Sequence, residues 1–417
     1  MKLKLTGDNT LRGEIIVSGA KNAALKMIAA AVMIDGVVVL HNTPRIIDVE
    51  KMAEIFENIG GKIKWQGNTL TLDGRTITTG ILPYELVVKL RGAVTYVGPL
   101  LTRFDNVTLP FPGGCNIGKR PLTAHISVFD EAGVDIEHRP TEYRFHRGDE
   151  LPAVIALIER SVTATENIIM YLAKSSQPNT VTIDNVACEP EIDDLITLLN
   201  SAGAKIVRNS PDQVTVESVA KLHGVEHTII GDRIEAGTWV IAGILMGDKL
   251  KISGFNPEFL YEPLELLASH GGDIEIFSDS VVVNRSKIAA FDINTAVYPG
   301  FPTDLQSPFG LMLTQSSGMG NIAENLFDDR LKYLDELKSM SAHLDILSDK
   351  EAQIYGPSEL VGKTIASTDL RAGATFVIAG LIAKGSTVVE KADIIDRGYE
   401  NIDKKLSKVG AKILRIE

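Results

Sequence analysis

The chain contains only two cysteines, Cys115 and Cys188, among its 417 residues. Two thiols build no disulfide framework, and no Cys-x-x-Cys pair or Cys/His cluster offers zinc a ligand set. That scarcity points to a reducing cytosol and to no bound metal. Long apolar runs are lacking too. None approaches the roughly 20 residues that a membrane span needs, and the best candidates are broken by Asp35-Gly36 and Arg91-Gly92. The opening Met1-Lys2-Leu3-Lys4-Leu5-Thr6-Gly7-Asp8 has no apolar signal-peptide core. A cytoplasmic protein without a membrane partner is expected. Basic surplus is absent as well: 42 Lys and Arg face 54 Asp and Glu, for a net charge of −12. Nonspecific nucleic-acid binding rests on basic surface, so no nucleic-acid partner is expected. A small anion remains possible wherever a few cations converge in one cleft. There is also no low-complexity segment or long polar linker, so any crossing between domains is short.

What is present is repetition. The apolar and charged fractions, 44% and 23%, are those of a globular chain, and its length calls for two domains or more. An amphipathic stretch, a Gly or small residue, two further residues and an aliphatic residue opening a strand recur six times. The turn residues are Gly60, Gly133, Gly203, Gly271, Ser341 and Gly410, about 70 residues apart. Glycine just past a helix supplies a left-handed cap, and the aliphatic residue begins the next strand. A second element repeats within the period. Arg233-Ile234-Glu235-Ala236-Gly237 echoes Leu370-Arg371-Ala372-Gly373, and both open small-residue, nearly all-apolar stretches. A helix apolar on every side is a buried helix. Each unit therefore contributes one buried helix, one amphipathic helix and several strands. The fold class is α/β, and the fourth unit begins near Gly231.

Two stretches stand out chemically. Residues 110–121, Pro110-Phe111-Pro112-Gly113-Gly114-Cys115-Asn116-Ile117-Gly118-Lys119-Arg120-Pro121, carry too many prolines and glycines for a regular element. They form a shaped loop around a thiol with two cations close behind, and nearby cations favour the thiolate. Asp304, in Phe301-Pro302-Thr303-Asp304-Leu305, is either a helix N-cap or a general base on a rigid turn. Around these, Lys21, Arg91, Arg371 and Arg397 recur beside glycine-bearing turns and at the starts of apolar helices, where an anion would be well received.

These residues, with Ser18-Gly19-Ala20-Lys21-Asn22, Glu189-Pro190-Glu191, Asp369-Leu370-Arg371-Ala372-Gly373 and Ile395-Asp396-Arg397-Gly398-Tyr399-Glu400, run in the order found in one family. The chain resembles the UDP-N-acetylglucosamine 1-carboxyvinyltransferases, enolpyruvyl transferases that open peptidoglycan synthesis. The resemblance covers nearly the full length. It implies two domains, each an inside-out α/β barrel of three βαβαββ repeats. One spans residues 21–229 with the Cys115 loop as a lid; the other joins 1–20 to 230–417, with the active site in the cleft. It implies phosphoenolpyruvate and UDP-N-acetylglucosamine as substrates and no cofactor, although Cys115 can carry a covalent phosphoenolpyruvate or pyruvate adduct. Cys115 would be the acid and the target of the epoxide fosfomycin, and Asp304 the base. Lys21, Arg120 and Arg397 would hold phosphate and carboxylate, assisted by Asn22, Arg91, Arg330 and Arg371. Pro121, Leu122, Thr123, Ala124, Arg160, Ser161, Val162, Leu326 and Asp369 complete the implied substrate contacts.

The chain departs from the family pattern in four places. Leu25-Lys26 stands for the usual Leu-Pro, Leu122-Thr123-Ala124 lacks an aspartate, Ser161-Val162-Thr163 replaces Ser-Val-Gly, and Cys188 replaces an arginine. Three of these lie on the nucleotide side. A paralogue acting on a different hydroxyl acceptor is therefore the alternative expectation.

Overall fold

The computed structural model describes residues 1–113, 122–148 and 150–416. Cys115, Arg120 and Pro121 lie outside the described residues. The described chain divides into two compact units, one of residues 1–18 and 231–416, here the C-terminal unit, and one of residues 19–113 and 122–230, the N-terminal unit. Each has its own apolar core, and no buried residue of one core belongs to the other.

Within each unit three sheets repeat one pattern. A parallel edge strand pairs with a second strand, followed by two antiparallel partners. In the N-terminal unit Val154–Ala156 lies parallel to Thr180–Asp184, which pairs antiparallel with Gln213–Glu217 and through it with Lys205–Ser210. In the C-terminal unit Ile293–Asn294, Gly318–Ala323, Glu351–Gly356 and His343–Ile346 follow the same order. Parallel neighbours require a crossover connection, and an apolar helix supplies it between Val154–Ala156 and Thr180–Asp184, between Ile293–Asn294 and Gly318–Ala323, and between Thr364–Ala366 and Ser386–Glu390. The third sheet of the N-terminal unit has three strands, and a single parallel bridge from Ile81 to Thr108 stands where its edge strand would run.

The apolar stretches form the expected buried helices. Lys21–Ala30 and Val162–Ala173 in one unit, and Arg233–Met246, Gln306–Leu313 and Leu370–Ile382 in the other, bury nearly every residue. They pack against one another, with the sheets outside them. Residues 84–101 differ. There the chain breaks into Tyr84–Val87, a 3-10 turn Arg91–Tyr96 and Val97–Leu101. The Asn167 side chain interrupts the helical ladder there: Gly98 N donates to its Oδ1 at 2.7 Å, and its Nδ2 donates to Val94 O at 2.9 Å. Arg91 thus opens a 3-10 turn, and Arg397 closes another, Ala392–Arg397; neither starts an α-helix.

All six turn residues of the repeat have positive φ: Gly60 +105°, Gly133 +77°, Gly203 +100°, Gly271 +105°, Ser341 +78° and Gly410 +103°. The repeat seen in the sequence is this left-handed cap. Ser341 holds the same geometry with a Cβ.

Both units close on themselves. Val225–Thr228, the last strand of the N-terminal unit, lies parallel to Val37–His41, its first. The N-terminal residues belong to the other unit. Lys2–Thr6 fits between Ser386–Glu390 and Ile413–Ile416, and Leu11–Ile16 lies parallel to Gly247–Ser253.

Candidate active site

In the C-terminal unit the centre is Asp304. It sits in a 3-10 turn, Thr303–Leu305, that runs into helix Gln306–Leu313. Neither element has a side-chain N-cap, so the capping role for Asp304 is not the one it plays. Its Oδ1 accepts from Arg330 Nη2 at 2.5 Å, and its Oδ2 accepts from Arg371 Nη2 at 3.0 Å and Nε at 3.3 Å. The two arginine side chains are 7% and 3% exposed, while Asp304 keeps 27%. The carboxylate is therefore partly accessible, while the guanidiniums that hold it are buried. Guanidinium forks suit this geometry because each presents several donors in a plane.

Arg371 opens helix Leu370–Ile382. The side chain of Asp369 caps that helix, accepting from Arg371 N at 2.8 Å and Ala372 N at 3.1 Å. That cap fixes the first turn and with it the Arg371 backbone. Burial favours the neutral guanidine of Arg371, but the charges of Asp304, Tyr399 and Asp232 outweigh it, and the net shift is upward. Arg371 also lies over the Tyr399 ring, 5.4 Å from its centroid. Arg397 is half-buried at the end of Ala392–Arg397. That turn packs on the same helix end: a Cβ on Gly373 would lie 2.6 Å from Ile395 Cγ1, and one on Gly398 would lie 2.6 Å from Leu370 Cδ1. Arg371 and Arg397 thus come from two neighbouring chain segments. Leu326 is half-buried in the segment leading to Arg330, its amide bonded to Glu324 Oε1.

In the N-terminal unit Lys21 opens helix Lys21–Ala30, which has no side-chain cap. Its Nζ pairs with Asp48 at 2.8 Å, and Asn22 beside it is half-buried. Arg91 lies close to this helix, because a Cβ on the adjacent Gly92 would lie 3.2 Å from Leu25 Cδ1. One turn deeper, Lys26 Nζ meets Glu166 at 3.2 Å, with side chains only 4% and 0% exposed. Burial outweighs the attraction of Lys26 and pushes the Glu166 carboxyl up to about 8.

The segments 122–124 and 160–163 are tied together by His125. Leu122 and Ala124 are buried, and Thr123 is exposed at the start of helix Thr123–Glu131. His125 Nε2 lies 2.9 Å from Thr163 Oγ1, and Nδ1 lies 3.3 Å from Asn167 Nδ2. Asn167 donates from that nitrogen, so Nδ1 accepts and the ring is the neutral Nε2–H form. Burial, with Arg91 and Lys26 nearby, pushes its pKa down to about 3. Ser161 caps helix Val162–Ala173 through Ala164 N at 3.4 Å, and Val162 begins the helix half-buried. Arg160 is exposed and reaches Asn185 Oδ1 and Asp212 Oδ2, each at 3.2 Å. Cys188 is half-buried, and burial with Glu189 beside it raises its thiol pKa.

Several contributors are not visible as motifs. Asp48, Lys26 with Glu166, His125 and Glu324 pair across separations of tens of residues, which no local pattern signals. Lys26 is the exception, since it stands out as a charge inside an apolar helix. Among the described residues no group of three or more His, Cys, Asp or Glu is arranged to hold a metal ion. No helix among them is long and apolar enough to cross a membrane.

A family model described as EPSP synthase (3-phosphoshikimate 1-carboxyvinyltransferase) matches residues 5–406. A protein of Methylacidiphilum infernorum named UDP-N-acetylglucosamine 1-carboxyvinyltransferase is 39% identical over 100% of this chain and 99% of its own length. One of the same name from Prochlorococcus marinus subsp. pastoris is 40% identical, covering 99% of this chain and 91% of its own. Among solved structures, the enolpyruvyl transferase NikO from Streptomyces tendae superposes with a TM-score of 0.89 at 24% identity, over 99% of this chain and 98% of that one. An EPSP synthase from Acinetobacter baumannii gives 0.74 at 14% identity, over 99% of each chain. These two likenesses establish the two-unit fold.

Proposed function

The chain belongs to the EPSP synthase family of enolpyruvyl transferases, and from that premise we propose that it makes the first committed intermediate of peptidoglycan synthesis. It transfers the enolpyruvyl group of phosphoenolpyruvate to the 3-hydroxyl of UDP-N-acetylglucosamine and releases phosphate. The observation that carries this reading is full-length kinship, at 39–40% identity, with proteins named for that reaction.

The chemistry sets demands that the residues meet. The acceptor oxygen attacks C2 of phosphoenolpyruvate while C3 gains a proton, giving a tetrahedral intermediate. Phosphate then leaves from C2 and C3 loses a proton, restoring the double bond. A base must take the hydroxyl proton, an acid must serve C3, and fixed cations must hold two anionic groups. Asp304 is the base in this reading. Its partial exposure and its two buried guanidiniums support the role, because the guanidiniums hold the carboxylate in one orientation. Cys115 serves C3 and can carry a covalent adduct. Lys21, Arg120 and Arg397 bind the phosphate and carboxylate of phosphoenolpyruvate, with Asn22, Arg91, Arg330 and Arg371 assisting. Arginine suits this because its fork matches both anions. The segments 121–124 and 160–162 receive the nucleotide, with Leu326 and Asp369 completing the contacts. The substrates are small molecules, and family enzymes of this kind work without a cofactor.

A second reading keeps the reaction and changes the acceptor. It is favoured by Thr163, engaged by His125, and by Arg160, engaged by Asn185 and Asp212. The test is phosphate release from phosphoenolpyruvate with UDP-N-acetylglucosamine and with other hydroxyl acceptors. Turnover with UDP-N-acetylglucosamine supports the first reading; turnover only with another acceptor supports the second.

A further inference from the structure

Glu324 is fully buried, with 0% exposure, and follows directly on strand Gly318–Ala323. Its carboxylate accepts three hydrogen bonds from uncharged donors. Oε2 accepts from the Thr303 hydroxyl at 2.8 Å, and Oε1 accepts from the amides of Leu326 at 3.0 Å and Phe327 at 3.1 Å. Thr303 adjoins Asp304, and the Leu326–Phe327 segment leads directly to Arg330, which binds Asp304. One carboxylate therefore spans both chain segments that meet at Asp304. The next residue ties down the other end of the same loop. Asn325 N donates to Thr295 Oγ1 at 2.8 Å, and Asn325 Nδ2 donates to Thr295 O at 3.0 Å. Residues 295 and 303 are thus both moored to the dipeptide 324–325.

We propose that Glu324 is a positioning residue that sets the distance and angle between Asp304 and Arg330. The inference rests on the reading of Asp304 as the base. A buried carboxylate costs free energy that a purely apolar plug would not, and here every one of its bonds goes to one of two segments that carry proposed reacting groups. What the site needs from Glu324 is reach, since both oxygens are used and the donors stand on different segments. Charge is secondary, because none of the three donors is ionised.

Reach and charge separate in two conservative variants. Glu324→Gln keeps the length: its oxygen can still accept both amides, and its NH₂ can donate to Thr303 Oγ. Glu324→Asp keeps the charge and is one methylene short of spanning both segments. Thr303→Val removes one bond at constant shape. The expected result is that Glu324→Gln keeps kcat within about threefold of the parent, while Glu324→Asp and Thr303→Val lose roughly 10- to 100-fold, the scale of an ångström-sized misplacement. The acid limb of the pH–kcat profile moves upward in both impaired variants, because a carboxylate farther from its guanidiniums holds its proton more tightly. Melting temperatures of the variants identify any that are simply unfolded. The opposite ranking, with Asp active and Gln impaired, overturns the proposal, as does a loss of kcat that only tracks the loss of folded protein. A separate arm needs no turnover: amide exchange at Leu326 and Phe327 rises at least tenfold in Glu324→Ala, which has no acceptor, and stays at the parent rate in Glu324→Gln. Unchanged exchange in both overturns the mooring itself. An inactive parent with the predicted exchange pattern instead counts against the assigned reaction, and so the two failures are told apart.

Discussion

Replacing Glu166 by glutamine removes one titrating group from the core of the N-terminal unit, and this changes how stability depends on pH. The carboxyl is fully buried beside Lys26 Nζ at 3.2 Å. Burial acts most strongly on it, Lys26 opposes burial, and Glu191 and Glu189 reinforce it, so the group titrates at about 8. An unfolded glutamate titrates near ~4.3. Between those values the folded chain keeps a proton that the unfolded chain has released. Stability therefore falls as pH rises through this window, by about 1.4 kcal/mol per pH unit where the group is fully inside it. From pH 5 to pH 7 the wild-type loss from this group is about 2–3 kcal/mol.

Glutamine does not titrate, so the stability of Glu166→Gln relative to wild type should rise by about 2–3 kcal/mol over the same interval. For a unit of this size that corresponds to roughly 5–10 °C in melting temperature. His125 pulls the other way. Burial, Arg91 and Lys26 depress it to about 3, against an unfolded value near ~6.5. The stability it contributes is present above the unfolded value and is lost as pH falls toward the folded one. Both proteins contain His125, so it largely cancels in the difference. Urea titrations at pH 5, 6 and 7, followed by tryptophan emission, measure the effect; Trp65 lies in this unit and Trp239 in the other. Parallel pH profiles for the two proteins, or a difference that shrinks as pH rises, would refute the reasoning.

Further outcomes follow from the same geometry. Ser341→Gly should stabilise the C-terminal unit by roughly 0.5–1 kcal/mol, since it relieves a left-handed residue at some cost in chain entropy; Gly271→Ala, at φ +105° with the Lys287 carbonyl 3.0 Å from its new Cβ, should destabilise it. Thermal denaturation of the two variants checks the pair, and equal signs contradict the shared cap. Asp304→Asn should lower kcat by about 10²- to 10⁴-fold, with the melting temperature showing whether the Arg330 and Arg371 contacts survive; near-normal turnover contradicts its role as base. Fosfomycin should modify Cys115 and leave Cys188 unmodified, because burial and Glu189 raise the Cys188 thiol pKa. Peptide mapping after treatment identifies the labelled residue, and modification of Cys188 alone contradicts the assignment.

The fold was legible where the backbone itself demands a residue type. The left-handed caps call for glycine at five of six positions, and the apolar helices carry no polar face that could be left in water. The break within residues 84–101 was harder to read, because the Asn167 side chain, about 70 residues away in sequence, takes the bonds of Val94 O and Gly98 N. Asp304 could be singled out from its proline-bracketed turn, and Arg371 from its place at a helix start, but their pairing could not. Arg330 and Arg371 stand 26 and 67 residues away, and only the packing of separate repeats brings them to one carboxylate. Glu324 left no trace in the sequence, since a buried acid bonded to a hydroxyl and two amides has no charged partner to pair it with. Lys26 was visible as an oddity, while Glu166, on a different helix, became its counterpart only through folding.

The central claim, enolpyruvyl transfer to UDP-N-acetylglucosamine, is tested most directly by measuring phosphate release from phosphoenolpyruvate across a panel of UDP-sugars, with mass analysis of the products. The account predicts phosphate release that depends on UDP-N-acetylglucosamine, with a product heavier by one enolpyruvyl group and none from a sugar blocked at the 3-hydroxyl. Phosphate release that is indifferent to UDP-N-acetylglucosamine, or a product formed only with another acceptor, would contradict it.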